Sequence, residues 1–216
     1  MDSWKNNLRP ALAITVLLTV ATGILYPLAV WGASLLLFPD QAGGSLVRSQ
    51  GRVVGSLLIA QASADSGMFH PRPSVAGSGY AGESSSGSNA GPLNRVLLDT
   101  LLPARVAAYR AENGLPADRK VPASSVSASG SGLDPDITLE DALIQAVRVA
   151  RVRRLDPKRL TENVVSNARD DLWQPGMMRP VNVLELNLAL ESGADLASSL
   201  PLESGNRSTG GVRDVP

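Results

Sequence analysis

The 216-residue chain has no cysteine. That excludes disulfides, thiol catalysis and thiolate metal sites. It has one histidine, His70, so a site built from several imidazoles is excluded as well. Twenty basic and twenty acidic residues leave a net charge of zero, and no strong field marks the chain for nucleic acid. No Gly-Lys-Ser/Thr string supplies a phosphate-binding loop, and no Gly-x-Ser-x-Gly elbow supplies a nucleophile. Gly77-Ser-Gly-Tyr-Ala-Gly82 has the spacing of a dinucleotide fingerprint, but proline-rich chain precedes it and serine-rich chain comes after. The fingerprint needs a strand before it and a helix after it. His70 stands beside Pro71 in the same polar stretch and reads as a surface histidine. Asp134 and Asp136 straddle Pro135 and read as turn and cap residues rather than metal ligands. Neither a catalytic residue, a metal nor a firmly bound cofactor is expected.

Charge is also missing locally: no charged residue occurs from Pro10 to Pro39. As a helix, the run 11–38 would be about 42 Å long, against a hydrocarbon core of about 30 Å. Buried core helices rarely stay uncharged so long. A cleaved signal peptide has an apolar region of only about 7–15 residues. The run therefore reads as an uncleaved transmembrane anchor. Lys5 and Arg9 precede it, while Asp40 comes first after it, so the positive-inside rule places residues 1–10 in the cytoplasm and the rest of the chain in a periplasm-like space. Ala11, Thr15, Thr19, Gly23 and Pro27 recur every four residues. Small residues at that spacing form a stripe along which another helix can approach closely.

After the anchor, 40–51 reads as a polar linker and 52–61 as a short strand. Residues 62–91 and 123–135 are long Gly/Ser-rich loops. Pro92 suits a first helical turn, with Leu93, Val96, Leu97, Thr100 and Leu101 on one face, and Pro103 as a kink or split. The helix should end near Asn113-Gly114. Thr138 with Asp141 three later is an N-terminal cap. It opens a basic helix over 142–154, with Ala142, Gln145, Ala146, Val149 and Val152 facing inward. Asp156-Pro157 caps another helix to about Arg169. In 181–190, alternating leucines suggest a strand, whereas Asn182 as cap with Glu185 three later favours a helix. The sum is one N-terminal transmembrane helix and a mixed α+β domain over 39–190, mainly helical with a small sheet, and then a structureless tail over 191–216.

Several strings occur in an informative order: Gly55-Ser-Leu-Leu-Ile59; Phe69 to Ser74; Ser88-Asn89 with Gly91-Pro92 and Asn94; Ala128-Ser-Gly-Ser-Gly-Leu-Asp-Pro135; Gln145 to Ala150; and Val181 to Leu184 with Leu186 to Leu190. Together they resemble the KdpC family, the C subunit of the bacterial Kdp potassium-transporting P-type ATPase, over residues 8–190. Ser127, Ser86-Gly87, Ala90 and Asp136 depart from the family's usual residues. The resemblance implies a single-pass protein of the bacterial inner membrane and a non-catalytic subunit of a high-affinity K⁺ uptake complex. Its partners would be a K⁺-conducting subunit, a P-type ATPase subunit that uses ATP, and a small accessory membrane peptide. It would be needed for assembly and activity, with its domain near the outer pore mouth. Arg72, Ser88, Asn89, Ser129, Ser131 and Asp134 become candidate partner or ion contacts. The family has also been proposed to bind ATP, which makes Gln145 and Arg148 candidate nucleotide contacts in an alternative regulatory role. The inferred topology sets those two residues on the side away from cytoplasmic ATP. A stand-alone, membrane-anchored binding module is the other alternative.

Overall fold

A computed structural model describes residues 3–49, 51–192 and 212–215. The chain divides into two units, one built around residues 3–46 and the other around residues 47–192.

The first unit is the apolar helix. It comprises α1 (Ser3–Val20), a π-helical turn (Ala21–Leu25) and α2 (Tyr26–Leu37), with the short α3 (Pro39–Ala42) after them. Its segment Asn7–Leu37, 31 residues, is long and apolar enough to cross a membrane, and none of that stretch is buried within the chain. The π turn has a local cause. Pro27 has no N–H to give the Gly23 carbonyl, and its ring crowds that oxygen; widening the preceding turn, so that the Tyr26 N–H bonds back to the Ala21 oxygen, relieves the conflict. The extra residue rotates the remainder of the helix by about 100°. The four-residue row of Ala11, Thr15 and Thr19 is therefore continuous, while Gly23 lies within the π turn and Pro27 turns off the stripe. The Thr15 hydroxyl donates to the Ala11 carbonyl of its own helix, 2.8 Å.

The second unit begins with two strands, β1 (Leu46–Ser49) and β2 (Arg52–Ser56), which join β5 (Val212–Val215) in a sheet of order β2-β1-β5. The strand β1 corrects the reading of 40–51 as plain linker. Val47 is buried there, and Gly51 takes the positive φ of the tight turn between the strands. Of the tail expected to be structureless, residues 193–211 lie outside the described residues, and at Val212–Val215 the chain instead forms β5.

The helix after the first long loop starts later than Pro92. Asn94 caps it, its side-chain oxygen accepting the Leu97 N–H at 3.0 Å, and Pro92 sits in the turn before. A second π turn (Leu97–Leu101) precedes Pro103, repeating the device seen at Pro27, and leads into α4 (Leu102–Asn113). Leu93, Val96 and Leu101 are exposed rather than core-facing. Gly114, at φ +65°, ends α4 as the sequence indicates.

Next come α5 (Ala123–Val126), β3 (Asp136–Thr138), α6 (Leu139–Arg153), α7 (Pro157–Ser166), β4 (Pro180–Asn182) and α8 (Val183–Glu191). Strands β3 and β4 pair antiparallel, with Ile137 opposite Val181. Three caps form where the sequence sets them. Thr138 accepts from the Asp141 N–H, Asp156 from Lys158 and Asn182 from Glu185. The last of these resolves 181–190: the final two residues of β4, then helix. Along α6, Ala142, Gln145, Ala146 and Val149 face inward, but Val152, in the last turn of the helix where little chain packs over it, is exposed. The core clusters on α6 and joins Phe69, Ile137, Leu160, Val164, Val181, Val183 and Leu186.

Candidate functional site

The 62–91 loop has little regular structure, yet it is tightly held. Two side-chain amides act as substitute β-strand partners for consecutive residues. Asn187 on α8 accepts the Phe69 N–H at 2.8 Å and donates to its carbonyl at 2.9 Å. Gln145 on α6 does the same to His70, at 2.8 and 3.0 Å. Phe69 is thereby fixed in the core, fully buried.

The same loop meets the 123–135 loop. Arg72 donates to the Asp134 carboxylate at 2.9 Å and reaches the Ser127 and Ala128 carbonyls. The Tyr80 hydroxyl donates to the Arg72 carbonyl at 2.9 Å. The Ser86 N–H donates to the Ser131 carbonyl at 3.0 Å. Glycine is required at this crossing: a Cβ on Gly132, whose φ is +69°, would lie 2.5 Å from the Ser86 carbonyl oxygen. Ser129 and Ser131 also act inside the loop, accepting the Asp134 and Leu133 N–H groups. Asp134 accepts the Asp136 N–H as well, the turn role read from sequence. Four of the six candidate contacts are thus committed to bonds that build the loops and their crossing, while Ser88, which accepts the nearby Ala90 N–H at 3.4 Å, and Asn89 stay exposed, Asn89 in a left-handed conformation at φ +51°.

Beneath the first loop lies a cleft of about 240 Å³ lined by His70, Tyr80, Arg105, Tyr109, Glu112, Ser125, Asp141 and Gln145, among others. Its floor is a buried polar network between α4 and α6. The Tyr109 hydroxyl and the Gln145 amide both donate to one Asp141 oxygen, at 2.6 and 3.0 Å. Arg148, 2% exposed, donates to Asn113 Oδ1 and Gln145 Oε1, each at 3.1 Å, and to the Ser66 carbonyl. Glu112 takes the His70 Nδ1 contact and lies 3.7 Å from Arg148. On the other side of the ring, His70 Nε2 lies 3.0 Å from the Asp65 carbonyl.

Burial pushes the Asp141 carboxyl above its ordinary range, against hydrogen bonds from Tyr109 and Gln145 that favour the charged form. Burial likewise raises the Tyr109 phenol, with the adjacent Asp141 charge adding to it. The hydrogen bond from His70, assisted by Arg148, holds Glu112 below the usual carboxylate range against its own partial burial. Gln145 and Arg148, the candidate nucleotide contacts, are both interior members of this network. Sequence reasoning sets Gln145 inward but misses Tyr109, Glu112, Asn113 and Asp141. The available signal is Asp141, Gln145 and Arg148 at spacings of four and three, polar residues along the buried row of an amphipathic helix. Among the described residues, no group of three or more His, Asp or Glu is gathered for a metal.

The chain thus combines an apolar helix long enough to span a bilayer with a domain whose buried ionisable groups bond one another, the build of a protein carried on a membrane helix. Comparison with known proteins makes this specific. The family model "K+-transporting ATPase, c chain" matches residues 8–192, and the chain belongs to that family, KdpC. It is similar to the potassium-transporting ATPase KdpC subunit of Mycobacterium tuberculosis (strain ATCC 25618 / H37Rv), 47% identical over 189 residues, which cover 87% of this chain and 98% of that protein. The subunit of the same name from Rhodospirillum rubrum is 48% identical over 192 residues, with 88% and 98% covered. That from Caulobacter vibrioides (strain ATCC 19089 / CIP 103742 / CB 15) is 47% identical over 188 residues, with 87% and 93% covered. The chain is thus a membrane-anchored accessory subunit of a K⁺-transporting ATPase.

Proposed function

We propose that this chain is a non-catalytic subunit that holds the pump together. The anchor helix packs against helices of the K⁺-conducting and ATPase subunits. The 47–192 domain stands on the extracytoplasmic side near the outer pore mouth, where assembly and activity of the larger subunits depend on it. The observation that carries this reading is the helix Asn7–Leu37, none of it buried in the chain, together with its row of small residues at Ala11, Thr15 and Thr19. Apolar packing surface without an internal partner is what a bundled membrane helix presents.

The domain supports an assembly role rather than a chemical one. The cleft's charged groups answer each other, and the loop motifs build a rigid crossing. In this reading the exposed Ser88 and Asn89 are the loop groups that meet a partner or a passing hydrated K⁺. An ATP-binding role lacks support: Arg148 is enclosed, and its donors reach Asn113, Gln145 and Ser66. Phosphate recognition needs donors that face the ligand.

Topology is the direct test. The chain has no cysteine, so Glu162→Cys on the exposed side of α7 gives a single thiol. A membrane-impermeant maleimide added to spheroplasts should label it without lysis. Labelling only after lysis would place the domain in the cytoplasm and overturn the proposal.

A further inference from the structure

Between α7 and β4 the chain makes a short loop over 170–178. At its tip stand Leu172 and Trp173, 97% and 89% exposed, the two most exposed large apolar side chains among the described residues. Met177 and Met178 flank them at 49% and 56%. The loop is built to hold them out. Asp171 accepts the Trp173 N–H at 2.9 Å, the Gln174 N–H bonds the Asp171 carbonyl at 3.2 Å, and Arg179 pairs with Asp170 at 3.1 Å. Gly176, at φ +66°, and a turn of 3₁₀ helix (Gly176–Met178) close it. A tryptophan displayed by its own hydrogen-bonded turn adds nothing to the core and is costly to leave in water, so it marks an interaction surface.

Area and charge narrow the occupant. The four side chains expose on the order of 500 Å², less than the roughly 800 Å² per partner of a stable independent interface. The patch is too small to pair two copies alone. It suffices as a second contact for a chain already held in a complex by its membrane helix, where effective concentration replaces area. The carboxylates of Asp170, 93% exposed, and Asp171 border the tip against the single guanidinium of Arg179, which pairs with Asp170, so this border keeps one net negative charge. Carboxylates there oppose insertion into an anionic leaflet and suit a protein socket with a basic rim.

We infer that the 170–178 loop docks in an apolar, basic-rimmed socket on another subunit of the same complex, with Trp173 as anchor; this rests on the assembly reading above. The test uses the whole complex, carrying a benzophenone amino acid in place of Trp173, with the same residue in place of the exposed Val147 as control. Irradiation should crosslink position 173, and not position 147, to one of the larger subunits. A crosslink to lipid or to a second copy of this chain, or no crosslink, overturns the inference. Independently, the double variant Leu172→Ser/Trp173→Ser should leave the purified complex at least about tenfold faster than wild type, with Trp173→Phe in between. An unchanged dissociation rate also overturns it. If the wild-type chain fails to co-purify with any larger subunit, the assembly reading falls. If it co-purifies but position 173 does not crosslink to a larger subunit, only this inference falls.

Discussion

At the scale of single residues, Arg148 is the most consequential side chain in the domain. It is among the largest fully buried side chains, and burial pulls its guanidinium below its ordinary range. It is tolerated because its donors reach Asn113, Gln145 and the Ser66 carbonyl and because Glu112 lies nearby. Through Ser66 and Gln145 the same guanidinium ties the first long loop to α6. Breaking a buried charge network by removing one member costs about 3–5 kcal/mol, since the remaining partners stay buried without it. Arg148→Ala should therefore lower stability by about that amount, measured by urea denaturation of the detergent-solubilised chain. Arg148→Lys should recover only part of the loss, because an ammonium cannot serve Asn113 and Gln145 through a planar fork. A loss under about 1 kcal/mol for Arg148→Ala would mean that water replaces the guanidinium freely.

At the scale of elements, the helix starts are set by caps whose value depends on burial. Asn182 is almost fully buried, accepts the Glu185 N–H at 3.1 Å and donates to the Leu57 carbonyl at 3.0 Å, so it starts α8 and pins the turn after β2. Asp156 is exposed and only caps α7. Asn182→Ala should cost about 2–3 kcal/mol and Asp156→Ala about 1 kcal/mol, compared in the same denaturation experiment. Equal losses would show that the Leu57 bond carries nothing. These starts are legible in the sequence because a cap is a local pattern: Thr138 with Asp141, Asp156-Pro157, and Asn182 with Glu185. The glycine after α4 is legible for the same reason. The π turns are not, since both prolines announce a disturbance without saying whether the helix kinks, splits or widens. Strand β1 pairs with β2 across the tight turn at Gly51, a local signal that the reading of 40–51 as linker passes over, whereas its pairing with the distant β5 is not a local property. The polar network escapes it because three of its members lie on α4, far from α6 in sequence, and burial of Arg148 depends on their meeting. Of the loop motifs, family resemblance marks the residues, but only the fold reveals that Arg72, Ser129, Ser131 and Asp134 build the crossing.

For the domain as a whole, the titration of the network sets how stability varies with pH, and two opposed directions meet in one cleft. Glu112 is held below its ordinary value of 4.5 by His70 and Arg148. A carboxyl whose folded value is depressed contributes stability that is present above its unfolded value and lost as pH falls through the folded one. Asp141 in the cleft, and Asp136 outside it beside Arg169, are raised above 3.8, chiefly by burial, so their carboxylates oppose folding once ionised, and that burden eases on acidification. Acid therefore removes the Glu112 contribution while relieving the other two, and the acid limb should be shallow for a domain with this many carboxylates. Glu112→Gln isolates one side of the balance. At neutral pH the variant should melt below wild type, because a neutral amide loses the attraction to His70 and Arg148. Well below 4.5 the gap should close, because Glu112 is then protonated in wild type too. Thermal melts of the solubilised chain at the two pH values decide the matter. A gap that stays constant with pH would show that Glu112 acts through packing rather than charge.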